Sequence, residues 1–166
     1  HVLVDHNQRK VRIAEQLVKV AATKQLQPVT DDNLLDEVTG LVEWPNVIIG
    51  QIETDFMDLP PEVLITSMRV HQKFFALSKT GGAETLAPYF MTVANRRSDP
   101  ANDKLIAAGN ERVLRARLAD AKFFYEQDLQ TPLDIQAEKL SSITFYEGLG
   151  SVADKAERMV ALAGAI

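Results

Sequence analysis

The sequence predicts an α+β fold, in which long helices accompany a small, mostly antiparallel sheet. Apolar residues recur at helical spacing over residues 8–25 and 109–125, whereas three shorter stretches are rich in β-branched and aromatic residues. The strands are therefore expected near residues 46–53, 73–77 and 89–94. The last two flank residues 79–83, whose paired glycines favour a hairpin turn. A hairpin of this kind favours α+β over regular βαβ repeats.

Two helices are predicted before the first strand. Residues 8–25 place Val11, Ala14, Leu17, Val18 and Ala21 on one face. Asp31 or Asp32 can cap the second helix, since short acceptor side chains stabilise helix starts. That helix must end before Pro45, because a residue that precedes proline disfavours the α region. The consecutive apolar residues 47–49 then predict a largely buried strand.

The later helices are predicted from their start signals. Pro60 and Pro61 begin a helix that extends to about His71, because proline is tolerated in a first turn. A short helix over residues 103–108 precedes the long one, with Gly109 and Asn110 as the break and the cap between them. Two further helices are expected over residues 133–140 and 152–165.

The helix over residues 109–125 has an unusual distribution of charge. Its apolar arc is formed by Val113, Leu114, Leu118, Ala121, Phe124 and Tyr125. Arg117 projects into this arc, and a guanidinium directed inward needs a partner. Asp120, three residues on, is the nearest candidate. The helix therefore carries either a structural salt bridge at its edge or an arginine that faces a ligand.

Composition restricts the classes of function. The 166 residues are 46% hydrophobic and 25% charged, which is typical of a soluble globular protein. Cysteine is absent, so disulfides and thiolate chemistry are excluded, and no apolar run approaches the ~18 residues of a membrane span. An intracellular, cytoplasmic location is expected. Because the chain starts at His1 without methionine and ends within a helical pattern, we expect an internal piece of a longer polypeptide.

The charges are unevenly distributed along the chain. The net charge is −5, but residues 31–62 hold nine acids and no lysine or arginine. We call these residues the acidic segment. Residues 1–30 hold five bases and two acids. Because acids repel phosphate, a contact with nucleic acid is expected through residues 1–30 or through the helix over residues 109–125.

No residues of the sequence form a strong catalytic or metal-binding motif. His1, His6 and His71 lack metal-ligand spacing, and no glycine-rich phosphate loop occurs. Ser67 and His71 lie four residues apart and share a helix face, which allows either a hydroxyl–imidazole pair or two unrelated structural roles. Bases on several elements form either a dispersed basic surface or an ordinary solvated face: Arg69, Lys73, Arg96, Arg97, Arg112, Arg115 and Lys122.

Four blocks of the sequence form a specific set: Glu43-Trp44-Pro45, LPPEVLITSMRVHQKFFAL from Leu59, AGNERVLRARLADAKFFYEQDL from Ala108 and LGSVADKAERM from Leu149. In this order they resemble the β subunit of the tetrameric bacterial glycyl-tRNA synthetase. The resemblance implies an α2β2 class II enzyme that attaches glycine to its tRNA with ATP and magnesium. It also implies that the α subunit holds the aminoacylation site, whereas the β subunit contributes tRNA binding and a subunit interface.

The resemblance sets the remaining expectations. The HD-like and anticodon-binding domains of the family would follow Ile166. The chain itself would divide into an N-terminal helical segment (1–28), an α+β domain (29–145) and the start of a helical domain (146–166). No catalytic residue and no metal ligand is assigned, and the expected partners are the α subunit, tRNA(Gly) and the rest of the β chain, without a membrane. The candidates for contacts with RNA or a partner are Arg69, Lys73, Arg112, Arg115, Arg117 and Lys122. A scaffold without RNA contact, and a hydrolase or editing-type domain that uses Ser67 and His71, remain as alternatives.

Overall fold

The elements of the fold are helices and antiparallel strands in a computed structural model that describes residues 2–79 and 85–166. In chain order they are α1 (His6–Ala22), β1 (Leu26–Pro28), α2 (Asp32–Leu41), β2 (Pro45–Gln51), a 3₁₀ turn (Thr54–Phe56), α3 (Pro61–Thr66), a π-helical turn (Ser67–His71), β3 (Phe75–Lys79), β4 (Leu86–Asn95), α4 (Pro100–Gln130), α5 (Leu133–Glu138), a 3₁₀ turn (Lys139–Ser142), β5 (Thr144–Tyr146), β6 (Gly150–Ser151) and α6 (Val152–Ala165). The predicted α+β class is confirmed.

The main sheet has the strand order β1-β3-β4-β2, and all of its pairs are antiparallel. Met91 of β4 pairs with Phe75 on one side and with Ile49 on the other, so β4 is an inner strand. The three predicted strands and the antiparallel pairing of β3 with β4 are confirmed. Residues 80–84 lie outside the described residues, so the predicted turn over residues 79–83 stays a prediction.

The edge strand β1 was not predicted, and its length explains why. It has only three residues and ends at Pro28, which lacks the N–H that an inner strand would need. Gln25 precedes it with a φ of 58°, a left-handed conformation that turns the chain from α1 into the strand. A strand this short gives no readable alternation.

One face of the sheet is covered by α1 and α2. Ile13, Leu17 and Ala21 of α1 are buried at helical spacing, and Leu34 and Val38 of α2 join them. The strand residues in the same core are mostly odd-numbered, as period-two alternation requires: Val47, Phe75, Leu77, Ala87 and Met91. The apolar faces of the first two predicted helices therefore pack against the sheet.

Residues of opposite parity on the strands form a second packed layer. The Phe90 ring stacks on Phe74 with 4.5 Å between centroids and an interplanar angle of 18°. Gly50 lies directly against Phe90, and a Cβ added at Gly50 would overlap the ring. Met68 of the π-helical turn is buried as well. Gly50 is therefore required by close packing.

The helix α4 is continuous from Pro100 to Gln130, so the predicted break at Gly109 is wrong. Asn110 does not cap a helix, because its side-chain amide donates to the Ile106 carbonyl at 2.9 Å within the same helix. Asp99 supplies the cap instead, accepting from the N–H groups of Ala101 and Asn102. These bonds, that from the Asn102 N–H above all, hold the pKa of Asp99 below its ordinary value.

The chain divides into two compact units, His1–Lys122 and Phe123–Ile166. In the second unit, the predicted helices near residues 133–140 and 152–165 are confirmed as α5 and α6. The β5–β6 hairpin was not predicted, and it depends on Gly148 and Gly150 at φ of 80° and 85°. The expected domain division at residues 28 and 145 stays a prediction.

No helix in residues 2–79 and 85–166 combines the length and apolar character that a membrane crossing needs.

Candidate functional site

The acidic segment contacts several of the cations that the sequence singled out. Arg69 pairs with Asp31, Lys73 with Glu37 and Arg115 with Glu53, at N···O distances of 2.7, 2.7 and 2.5 Å. Lys10 pairs with Asp36 in the same way at 2.5 Å. Because each ion pair brings a carboxylate to a base, these bases do not form an uncompensated positive surface.

Arg69 is held at the start of α2. Its Nε lies 2.7 Å from Asp31 Oδ2, while Asp31 Oδ1 accepts from the Leu34 N–H at 2.9 Å. Asp31 therefore caps α2 with one oxygen and binds the π-helical turn with the other. This arrangement gives Arg69 a structural role in the described chain.

Lys73 has a left-handed backbone, with a φ of 57°. The predicted strand start at residue 73 is wrong for this reason, and β3 begins at Phe75. The Phe74 N–H donates to the Met68 carbonyl at 3.0 Å, which closes the π-helical turn and fixes the corner. The Lys73 ammonium then pairs with Glu37 at a surface that is about one-third to one-half exposed.

Two basic side chains of α4 bind the residues that follow β2. Arg115 pairs with Glu53, and the Lys122 ammonium donates to the Asp55 carbonyl at 3.0 Å. On the same helix, Glu111 Oε1 accepts from the Gln51 N–H at 2.9 Å. A cavity of about 190 Å³ lies between these contacts, lined in part by Phe56, Leu114 and Leu118. The contacts place α4 beside the exposed end of β2.

Arg112 and Arg117 are the two remaining candidates, and both are exposed. The prediction that Arg117 projects into an apolar core is wrong, because only Leu114 and Leu118 of the predicted arc are buried. Val113 is 44% exposed. The long helix passes beyond the core on both sides of those two leucines, so helical spacing alone overestimates the buried stripe. Neither arginine forms an ion pair within the described residues.

Ser67 and His71 are the first and last residues of the π-helical turn. His71 is exposed and Ser67 is half-buried. Within the described residues, no hydrogen bond joins the serine hydroxyl to the imidazole. The widened turn changes the angular relation on which the i, i+4 argument depended. The geometry gives no support to a hydroxyl–imidazole pair.

A cluster that the sequence analysis missed surrounds Trp44. The Arg12 guanidinium carbon lies 4.6 Å from the centroid of the indole ring, and that of Arg97 lies 5.8 Å from it. The Glu43 and Trp44 N–H groups both donate to Asn95 Oδ1, at 3.0 and 2.8 Å, which fixes the backbone at the indole. Trp44 is the single tryptophan of the chain, and that was the available signal.

Metal binding has no ligand cluster in the part of the chain that the structure describes: residues 2–79 and 85–166 contain no group of three or more histidine, aspartate and glutamate side chains arranged around one point.

The second unit is distinguished by its exposed apolar side chains. Each of its residues, from Phe123 to Ile166, retains at least partial exposure. Large apolar side chains are among the most exposed, including Leu133 at 87%, Val160 at 73% and Leu162 at 64%. Exposed apolar side chains of this size favour contact with another protein surface.

The antiparallel sheet and the helices that cover it make this a protein of the α+β class. The family profile described as glycyl-tRNA synthetase beta subunit matches residues 1–166. The chain is 50% identical to the glycine–tRNA ligase beta subunit of Rhodospirillum centenum over 98% of its length, and 45% and 43% identical to those of Coxiella burnetii and Bacillus subtilis over 99% and 98%. It spans only 22–23% of these three relatives. The chain belongs to the glycyl-tRNA synthetase beta subunit family.

Proposed function

We propose that this chain is an assembly region of a glycine–tRNA ligase β subunit, which serves the charging of tRNA(Gly) without supplying the reaction centre. The complete cytoplasmic enzyme joins glycine to tRNA with ATP and magnesium at a site in its α subunit. The region described here positions other parts of the β chain and supports the contact with the α subunit. The relatives' printed names and the resemblance in four sequence blocks support this assignment.

The observation that carries the proposal is the exposure of the second unit. A stretch of 44 residues, Phe123–Ile166, forms its own compact unit and yet buries no side chain fully. Covering such side chains contributes about 25 cal/mol per Å² of apolar surface removed from water. The partner is the rest of the β chain, because the chain spans less than a quarter of the relatives' length.

Substitutions in α6 of the complete β subunit test this proposal. Val160→Gln and Leu162→Gln do not lower helix propensity, but they remove apolar surface. We expect a lower melting temperature, weaker association with the α subunit and reduced aminoacylation. The matched control is Val11→Gln on α1, where the valine is 55% exposed in the first unit. If the α6 variants behave like this control, the assembly proposal fails.

A second candidate function, direct contact with tRNA, is favoured by Arg112 and Arg117. Both are exposed on α4 without an ion pair in the described residues, whereas Arg115 on the same helix is paired with Glu53. Replacing Arg112 and Arg117 with glutamine should weaken tRNA binding and flatten its salt dependence. Arg115→Gln is the control for charge. A purely structural scaffold would leave the affinity and its salt dependence unchanged in all three.

A further inference from the structure

The cluster of Arg12, Trp44 and Arg97 differs from every other group of cations described above. The two guanidinium groups approach one indole ring, with 4.6 and 5.8 Å from their central carbons to the ring centroid. Arg12 comes from α1, whereas Arg97 comes from the loop between β4 and α4. Elements distant in sequence thus bring two positive charges to one half-buried aromatic side chain.

These charges lack compensation within the described residues. Arg12 Nε is buried and has no hydrogen-bond partner, and neither guanidinium forms an ion pair there. Neither Glu43 nor Asp99 forms an ion pair with these arginines within the described residues, and Asp99 accepts from Ala101 and Asn102 at the start of α4. A buried donor without a partner destabilises the fold, so it calls for an explanation.

We propose that Arg12, Trp44 and Arg97 bind the phosphodiester backbone of an RNA strand. A guanidinium stacked on an indole loses little conformational freedom on binding and keeps its edge N–H groups for an oxyanion. Its fork of donors matches the two free oxygens of a phosphodiester. The Trp44 ring therefore orients both arginines before the ligand arrives. This assignment rests on the second candidate function, contact with tRNA, since it names the part of the tRNA that the region recognises.

The arrangement favours a nucleic-acid backbone over a single carboxylate of a protein partner. Two guanidinium groups on one ring repel each other unless anions lie beside both, and a nucleic-acid strand supplies phosphates at regular short intervals. Arg96, adjacent to Arg97, adds a third cation to the same loop. Residues 1–30, which supply Arg12, also carry a surplus of bases over acids.

The test uses the complete α2β2 enzyme and tRNA(Gly), with the dissociation constant measured over a range of salt concentrations. We expect the double variant Arg12→Gln and Arg97→Gln to bind about tenfold more weakly at moderate salt. Its slope of log affinity against log salt should fall by about 0.7–0.9 for each lost phosphate contact. Lys10→Gln is the matched control, because it removes the same charge from the same helix but from a lysine that is paired with Asp36.

A second variant separates orientation from charge. Trp44→Leu keeps both arginines and should weaken binding while leaving the salt slope nearly unchanged, since the charges remain but lose their platform. A thermal melt of each variant ensures that a folded enzyme is compared.

Two results would overturn the RNA assignment. The first is a double variant with the affinity and slope of Lys10→Gln. The second is a double variant whose salt slope for tRNA binding is unchanged but which no longer associates with the α subunit. That result would make the cluster a protein interface. Failure of the assembly proposal is separate, because it is measured on Val160→Gln and Leu162→Gln by subunit association and not by salt dependence.

Discussion

Arg69 Nε lies 2.7 Å from Asp31 Oδ2, and the other oxygen of that carboxylate caps α2. A residue selected from the sequence as a contact for RNA is thereby committed to joining two elements of its own fold. The same holds for Lys73 and Arg115, which pair with other acids of the acidic segment. The acidic segment binds cations of this chain.

Removal of the Asp31 carboxylate should destabilise the first unit. Asp31→Ala loses the helix cap, which contributes about 1 kcal/mol, and the ion pair with Arg69, which contributes up to about 1 kcal/mol more. The control is Asp32→Ala, an exposed acid in the first turn of the same helix. Urea unfolding measures the difference, and equal midpoints for the two variants would contradict the capping role.

Gly50→Ala should destabilise the protein by about 1–3 kcal/mol, because the added methyl group would overlap the Phe90 ring. Gly109→Ala should instead stabilise the protein. Gly109 lies inside α4 with open space around the position of a Cβ, so alanine should stabilise the helix by up to about 1 kcal/mol. Thermal melts of the two variants should therefore shift in opposite directions, and shifts of the same sign would refute the packing described at Gly50.

Lys73 should tolerate glycine better than alanine. Both substitutions lose the ion pair with Glu37, but only glycine adopts a φ of 57° without steric cost. We expect Lys73→Gly to be more stable than Lys73→Ala by about 1 kcal/mol. Measured stabilities in the reverse order would show that the left-handed corner at residue 73 is absent in solution.

The helix cap at Asp99 should make stability depend on acid pH. Hydrogen bonds from Asn102 and Ala101 hold the pKa of Asp99 below 3.8, so the folded state prefers the ionised form. The resulting stabilisation is present above the ordinary pKa and is lost as the pH falls through the lowered one. Asp99→Asn should therefore flatten the decline of melting temperature below about pH 4. If the melting temperature of Asp99→Asn declined with acid as steeply as that of the unsubstituted protein, Asp99 would not be the helix cap.

The second unit contains a comparable group. In the capping box of α6, the Ser151 N–H and hydroxyl donate to Asp154, and these bonds hold its pKa below 3.8. The sign is the same as for Asp99, so Asp154→Asn should reduce the acid sensitivity of α6. Helical circular dichroism between pH 2 and 6 would show this, whereas identical titration curves would exclude it.

Much of the fold was predictable because local patterns coincide with tertiary packing. The apolar spacing in α1 and α2 matches the face that covers the sheet, and the three longer strands were visible from their composition. The continuity of α4 was not predictable, because glycine and asparagine also occur inside helices. There the Asn110 side-chain amide donates to the Ile106 carbonyl of the same helix. The three-residue strand β1 is formed by pairing with β3 rather than by its own propensity.

The candidate site was only partly predictable, for an electrostatic reason. The sequence shows which residues are bases and acids, but it does not show which of them form ion pairs. Arg69 pairs with Asp31, 38 residues away, and Arg115 pairs with Glu53, 62 residues away. The approach of Arg12 and Arg97 to Trp44 is equally remote, since three separate elements supply it. Whether Arg112, Arg117 and the other candidates contact RNA stays a prediction.

We propose that the second unit completes its packing on the rest of the β chain. Amide hydrogen exchange of α6 should then be rapid in the 166-residue chain and strongly slowed in the complete β subunit. Equal exchange of residues 152–165 in both would contradict it.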